Sequence, residues 1–362
     1  MIPIVKPFIS NPEELMPAIQ ETLYSGYIAE GEKVYEFEKL FSDYINNPLS
    51  LSLNSGTAAL HIALLLAGVG VGDEVISTVL TAEPTNVAIK LVGAKVVWAD
   101  VQTNTGLLDP KSVREKITPR TKAIILVHYA GMVCDMNEFV KISNEFNIPI
   151  IEDAAHALGA KYNGLPIGCH SDYTIFSLQA IKHLTTIDGG ILSLKSKENY
   201  DKGKLLRWFG LNKNKARLEN DITVPGYKYH MNNVNATIGI VQMKHVEQVV
   251  GKYITNGKYF DQELKNILGI ELLDYNPNTE PSYWLYTLKV ENRKGFIKKL
   301  AENNIMASEL HLRNDRHSLF NESKVSLPVF DEFYKKMVHI PCGWWLTDAD
   351  KNKIVEVIRQ GW

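Results

Sequence analysis

A lysine that follows an apolar run and precedes a pair of glycines is placed for chemistry that a solvated surface lysine does not do. Lys182 stands in Phe176-Ser177-Leu178-Gln179-Ala180-Ile181-Lys182-His183-Leu184-Thr185-Thr186, ahead of Asp188-Gly189-Gly190. On a short loop facing the ligand edge of a sheet its amine is desolvated, and a desolvated amine is the nucleophile that forms Schiff bases with carbonyls. Ser177, five residues earlier, can reach a phosphate, and the glycine pair lets backbone approach closely. A second candidate is Asp153, in Ile150-Ile151-Glu152-Asp153-Ala154-Ala155-His156. An acid that ends a buried strand needs a cation or several donors, because an unpaired buried carboxylate is costly. A pyridinium nitrogen is such a cation, and pairing with it keeps the ring protonated as an electron sink. Ala154 and Ala155 are small enough for a flat ring to lie close. His156 can hydrogen-bond an oxygen on that ring, or be an ordinary histidine satisfied by backbone at a helix start. A third candidate is Asn54-Ser55-Gly56-Thr57-Ala58-Ala59, between a strand and a helix. Unpaired N–H groups, the positive dipole end and the Thr57 hydroxyl together suit a phosphate dianion. Capped turns of this composition are common, so the segment alone decides nothing.

These groups need a scaffold that brings them to one edge. From Leu51 to Leu194 short β-rich runs alternate with helical stretches, the pattern of an α/β fold with a mostly parallel sheet and crossover helices. The pattern predicts strands at Leu51–Leu53, Val75–Ser77, Lys95–Val101, Lys122–His128, Pro149–Glu152, Tyr173–Leu178 and Gly190–Leu194. It predicts an apolar helix over Ala58–Ala67. A second helix over Asp135–Phe146 is expected to start at an Asp135 cap and to bury Met136, Phe139, Val140, Ser143 and Phe146. Asp153 then falls at a strand's C-terminal end, where open α/β sheets bind ligands. After about residue 245 the rhythm gives way to mixed helices and short strands. Residues 1–245 are therefore expected to form a large catalytic domain, and 246–362 a smaller α+β domain.

The chain has 362 residues, 45% hydrophobic and 22% charged, with 39 basic against 41 acidic side chains and a formal net charge of −2. That is the composition of a soluble globular protein. No Lys/Arg run is long enough to track a phosphate backbone, so nucleic acid is not an expected partner. No segment has the length and purity of a membrane span, and the first residues lack the layout of a signal peptide. Cys134, Cys169 and Cys342 are far apart without metal-ligand spacing, which fits reduced thiols in the cytoplasm and no metal site.

In order and spacing, the phosphate cup, the acid about 100 residues later and the lysine 29 beyond it resemble the three-layer fold type I layout of pyridoxal-phosphate (PLP) enzymes. The chain is similar over nearly its whole length to the DegT/DnrJ/StrS family of sugar aminotransferases. The matching motifs are Ser25-Gly26-Tyr27-Ile28-Ala29-Glu30-Gly31, Asn54-Ser55-Gly56-Thr57-Ala58-Ala59-Leu60, Gly72-Asp73-Glu74-Val75-Ile76, Glu152-Asp153-Ala154-Ala155-His156-Ala157-Leu158-Gly159-Ala160, and Lys182 with Thr185-Thr186 and Gly189-Gly190.

The resemblance implies that Lys182 holds PLP covalently and moves the proton between substrate carbon and cofactor. It implies that Asp153 faces the pyridine nitrogen and His156 the ring hydroxyl, with Ala155 against the ring. Gly56, Thr57 and Ser177 match phosphate-binding positions. Family members are homodimers with shared sites, and Gly226-Tyr227-Lys228-Tyr229-His230-Met231 matches the stretch that reaches across. The implied reaction moves an amino group from a donor such as glutamate, through pyridoxamine phosphate, to a nucleotide-linked keto-deoxy sugar for surface polysaccharide or glycosides. Glu309-Leu310-His311-Leu312-Arg313 and Arg316-His317 are candidates for the sugar-nucleotide site, with His311, Arg313 and His317 as its ligands; ordinary surface polarity accounts for them equally well. Two features depart from the family. Lys228 and His230 stand where many relatives carry Asn and Arg, and Ala82 stands where relatives tend to stack an aromatic on the ring. A related dehydratase would carry His in place of the lysine, and His183 is adjacent, but the Thr185-Thr186 and Gly189-Gly190 frame puts Lys182 in register. A non-catalytic sensor or scaffold is opposed by the joint presence of Lys182, Asp153 and Ser177.

Overall fold

In a computed structural model, which describes residues 1–362, the alternating region builds a seven-stranded sheet. Two helices come first, α1 (Pro12–Tyr24) and α2 (Glu32–Ile45). Strands and helices then alternate as β1 (Ser50–Leu53), α3 (Gly56–Leu66), β2 (Glu74–Ser77), α4 (Glu83–Leu91), β3 (Lys95–Trp98) and α5 (Pro110–Lys116). They continue as β4 (Thr121–Val127), α6 (Met136–Phe146) and β5 (Ile150–Asp153). Short strands β6 (Lys161–Tyr162) and β7 (Leu165–Pro166) precede β8 (Tyr173–Ser177) and β9 (Gly190–Leu194). The sheet order is β1-β9-β8-β5-β4-β2-β3. The pairings from β3 through β8 are parallel, and β9 alone runs antiparallel to both its neighbours. Parallel neighbours need crossover helices that cover the sheet's faces, which is why these strands are buried along most of their length, polar residues included.

The remaining chain forms α7 (Lys197–Arg207), α8 (Asn233–Met243), α9 (Val246–Glu263), β10 (Ile270–Leu272), β11 (Thr279–Glu280), β12 (Tyr286–Val290), α10 (Arg293–Glu302), α11 (Pro328–Lys336), β13 (Met337–Ile340) and α12 (Asp348–Arg359). β10, β12 and β13 make a three-stranded antiparallel sheet, while β11 pairs with β6. The larger apolar core surrounds the seven-stranded sheet, and a smaller one lies under the three-stranded sheet. Residue 246, where the second domain was expected to begin, is the first residue of α9. That helix contributes Val246 and Val250 to the larger core and Phe260 to the smaller. Phe320, Leu327, Phe330 and Phe333 pack back into the larger core.

Two local readings are corrected. The α6 face that is buried is Met136, Phe139 and Ile142, whereas Phe146 is exposed at the helix end. The Asp135 cap is as expected, its carboxylate accepting the Glu138 N–H (3.4 Å). β3 stops at Trp98 rather than at Val101, because Asp100 leaves the sheet to accept the N–H groups of Val329 (3.1 Å) and Phe330 (2.8 Å) at the start of α11.

Candidate active site

The C-terminal ends of β4, β5 and β8 open on a cleft of about 370 Å³. It brings together Gly56, Thr57, Asp153, Ala155, His156, Ser177, Lys182 and His311 from four separate stretches of chain. At one end lies the N-terminus of α3. Ser55 caps it by accepting the Ala58 N–H (3.0 Å), and the Gly56 and Thr57 N–H groups, one turn from any helical acceptor, are left for a ligand. A Cβ on Gly56 would come within 3.2 Å of Ser177 Cβ, and one on Gly190 within 2.4 Å of the Ser55 carbonyl. The missing side chains let β8, β9 and the turn close into one cup. Ser177 Oγ accepts the Gln179 N–H (3.4 Å), so its own proton is free to donate into that cup.

β5 ends in two acids, and strand alternation sends them to opposite faces. Glu152 is saturated: His128 Nε2 lies at 2.8 Å and Thr174 Oγ1 at 3.1 Å, with the Ser171 N–H at 3.1 Å. Burial alone would raise its carboxyl, but these partners hold it below the ordinary range. Asp153 turns into the cleft with less support, from Thr85 Oγ1 (2.7 Å) and the Ala155 N–H (3.1 Å). Burial therefore pushes the Asp153 carboxyl up, against those two bonds and the attraction of Lys182. It is a buried acid still short of a cation.

Lys182 sits on a loop whose neck is closed by Leu178, which donates its N–H to Gly189 (2.9 Å) and accepts the N–H of Thr186 and the hydroxyl of Thr185 (both 3.0 Å). Burial brings its amine down from 10.5 to about 7, although Asp153 pulls the other way. Near neutral pH much of the amine is thus unprotonated and nucleophilic. Beside it, His156 accepts the Ala130 N–H at Nδ1 (3.3 Å) and stacks on Trp284 with ring centres 3.9 Å apart. Burial, then the charge on Lys182, keeps His156 neutral well below its usual range.

A model of the DegT/DnrJ/EryC1/StrS aminotransferase family matches residues 10–359. The chain belongs to that family. Its fold superposes on the crystal structure of AtS13 from Actinomadura melliaura with a TM-score of 0.97 and 38% identity, covering 100% of this chain and 99% of the other. The sugar aminotransferase CalS13 from Micromonospora echinospora gives the same TM-score at 35% identity, with both chains fully covered. By sequence the chain is 32% identical to a UDP-4-amino-4-deoxy-L-arabinose–oxoglutarate aminotransferase of Shewanella sediminis, over 99% of this chain and 97% of that one.

Against the DegT/DnrJ/EryC1/StrS pattern, other expected residues are placed as follows. Ala82, at the N-terminus of α4, lines the cleft. His183 points away from it, Nε2 donating to the Ser282 carbonyl (3.2 Å) and the ring lying edge-on to Tyr253. His311 enters the cleft with Nε2 buried and unpartnered, while Arg313 does not. The Arg313 guanidinium is taken up by Asp315 and Asp331, each at 2.6 Å, and lies over Phe330. His317 stands outside the cleft, 3.7 Å from Glu83. Lys228 is exposed and outside the cleft of its own chain; its carbonyl accepts from Asn54 Nδ2 (3.2 Å), next to the N-terminus of α3. Three residues escaped the reading of the sequence. Thr85 supports Asp153, and Trp284 touches both His156 and Lys182. Tyr129 accepts the His311 N–H (2.8 Å) and lies 3.0 Å from His339 Nε2. Trp284 lies in Ser282-Tyr283-Trp284-Leu285-Tyr286, whose aromatic density was the only local signal.

No helix is long and apolar enough to cross a membrane.

Proposed function

We propose that this aminotransferase transfers the amino group of an amino acid such as glutamate to a keto sugar carried on a nucleotide, using PLP held in the cleft around Lys182. The observation that carries the reading is the convergence in one cleft of a desolvated amine, a buried acid short of a cation, and a helix N-terminus with free donors. These fit a phosphorylated pyridine aldehyde. Gly56, Thr57 and Ser177 would hold its phosphate, Asp153 would keep a proton on its ring nitrogen, and Ala155 leaves room for its flat face. When bound, the group supplies an electron sink and a carrier for the amino nitrogen.

The chain's own residues supply the rest. The Lys182 amine is the carbonyl nucleophile. Released by the donor, it is also the base that takes a proton from the substrate carbon and returns one in the second half-reaction. Its value of about 7 suits both directions near neutral pH. His156, held neutral, offers its other ring nitrogen to an oxygen on the ring. The net exchange is glutamate plus keto sugar giving 2-oxoglutarate plus amino sugar, balanced in atoms and charge. The substrate class is supported by the relatives, one a sugar aminotransferase and another acting with oxoglutarate on a UDP-linked amino sugar. We assign His311 to the sugar-nucleotide side of the cleft. The test offers purified protein a panel of nucleotide-linked keto sugars with glutamate and reads products by mass. Formation of an amino sugar with matching 2-oxoglutarate is expected. Loss of water from the sugar without amination would identify a dehydratase instead.

A further inference from the structure

The residues Ser282–Leu285 form a strap beneath the Lys182 loop, contributed from 103 residues further along the chain than Ile181. Ser282 gives its N–H to the Gly131 carbonyl (2.9 Å), and Leu285 gives its own to Ala130 (3.2 Å), so the strap is anchored at both ends. Between these anchors lies Trp284, only 3% exposed. Its Nε1–H donates to the carbonyl of Ile181 (2.9 Å), the peptide immediately before the lysine. Its ring centre lies 4.0 Å from Lys182 Nζ.

We propose that Trp284 is a positioning residue for Lys182: the indole N–H pins the backbone that carries the lysine, and the indole face seats its amine between half-reactions. This rests on the reading of Lys182 as the reacting amine. A lysine has four rotatable side-chain bonds and loses much rotamer freedom when held. Its amine must nevertheless return to one place after each half-reaction, and a pinned backbone plus a broad attractive face brings it there. A carboxylate in the same position would keep the amine charged. An aromatic face attracts the ammonium more weakly, compatible with an amine that titrates at about 7. The other titratable groups around the amine are Asp153, His156, His183 and His311, and all three histidines are held neutral by burial.

Two variants separate the pin from the seat. Trp284→Phe keeps a ring face and removes the N–H; Trp284→Leu removes both. The first readout needs no cofactor. The full-length protein, freed of PLP, is reductively methylated with formaldehyde and cyanoborohydride across the neutral range, and labelling of Lys182 is followed by mass spectrometry. Trp284→Leu is expected to move the labelling midpoint down by about one pH unit, since the ammonium loses its seat. Trp284→Phe should keep the wild-type midpoint and lower kcat with glutamate by ~10-fold at little change in KM, the signature of a misplaced reacting group. Thermal unfolding checks that each variant is folded, and Trp284→Phe alone tests the pin if the leucine variant is not. A wild-type midpoint in Trp284→Leu, or a wild-type kcat in Trp284→Phe, overturns the proposal. Failure of the underlying reading looks different: Lys182→Ala would then turn over normally, whatever the labelling shows.

Discussion

Lys182 and Asp153 are each kept in an unfavourable state by burial, and the proposed reaction draws on both. Lys182→Ala should leave the fold intact, abolish turnover, and remove a visible absorbance band that borohydride otherwise discharges with label on Lys182. Near-normal transamination by that variant would sink the assignment. Asp153→Asn should retain cofactor but lower the rate of the glutamate half-reaction by ~100-fold, equivalent to ~3 kcal/mol, because a neutral amide no longer holds a proton on the ring nitrogen. An unchanged half-reaction would remove Asp153 from the mechanism. Titration of Lys182 also reaches stability. Unfolded, its amine keeps its proton to about 10.5, and folded only to about 7. Between these values the unfolded chain binds more protons, so the cofactor-free protein gains stability as pH rises from about 7. Below that both states are protonated, and the cost of burying the charge is constant. Lys182→Met should flatten this rise, which thermal unfolding at matched ionic strength would show.

The cleft depends on how the chain segments that line it are fastened to one another. The stretch around His311 reaches the cleft because Asn314, fully buried, latches it to the turn before α4. Its N–H donates to the Val79 carbonyl (3.0 Å), its Nδ2 to Thr81 (2.8 Å), and its Oδ1 accepts from Asn86 Nδ2 (2.9 Å). Asn314→Ala leaves the Thr81 carbonyl and the Asn86 amide without this partner, at about 1–3 kcal/mol for each group so buried. The expected result is a protein less stable by ~2 kcal/mol or more. Its KM for the sugar acceptor should rise while the glutamate half-reaction keeps its rate. Equal damage to both half-reactions would show that the latch serves the fold alone.

At the scale of the assembly, the residue to follow is Lys228. Its segment lies beside Asn54, next to the N-terminus of α3, yet its side chain is exposed outside its own cleft. We propose a homodimer in which Lys228 of each copy reaches the cofactor phosphate held by the other. A charge-assisted contact of this kind is worth ~1–3 kcal/mol, so Lys228→Ala should weaken cofactor retention by roughly tenfold or more. Mixing Lys182→Ala with Lys228→Ala subunits should restore activity in part, since one site of a mixed dimer then has both lysines. Subunits that exchange without any return of activity, or a monomer by light scattering at working concentration, would refute the shared site.

The strand and helix pattern and the α3 turn were legible from residue order because each rests on local chemistry, and the family resemblance picked out Asp153 and Lys182. A strand end, a helix start and a loop before a glycine pair are set by neighbours within a few residues. Local chemistry alone did not separate Glu152 from Asp153. Which acid meets His128 and which faces the cleft depends on the pairing of β5 with β4 and β8. Arg313 and His317 looked as suitable as His311 by residue type, yet Asp331 and Asp315 claim the first and the second stops at Glu83. Beyond the aromatic density around it, Trp284 gave no sign of a role for the same reason. An indole gains meaning only from what it touches, and its contacts with Ile181, Lys182 and His156 lie more than a hundred residues away along the chain. Side chains made important by a distant partner become visible only when the chain has folded and burial has removed water as their alternative.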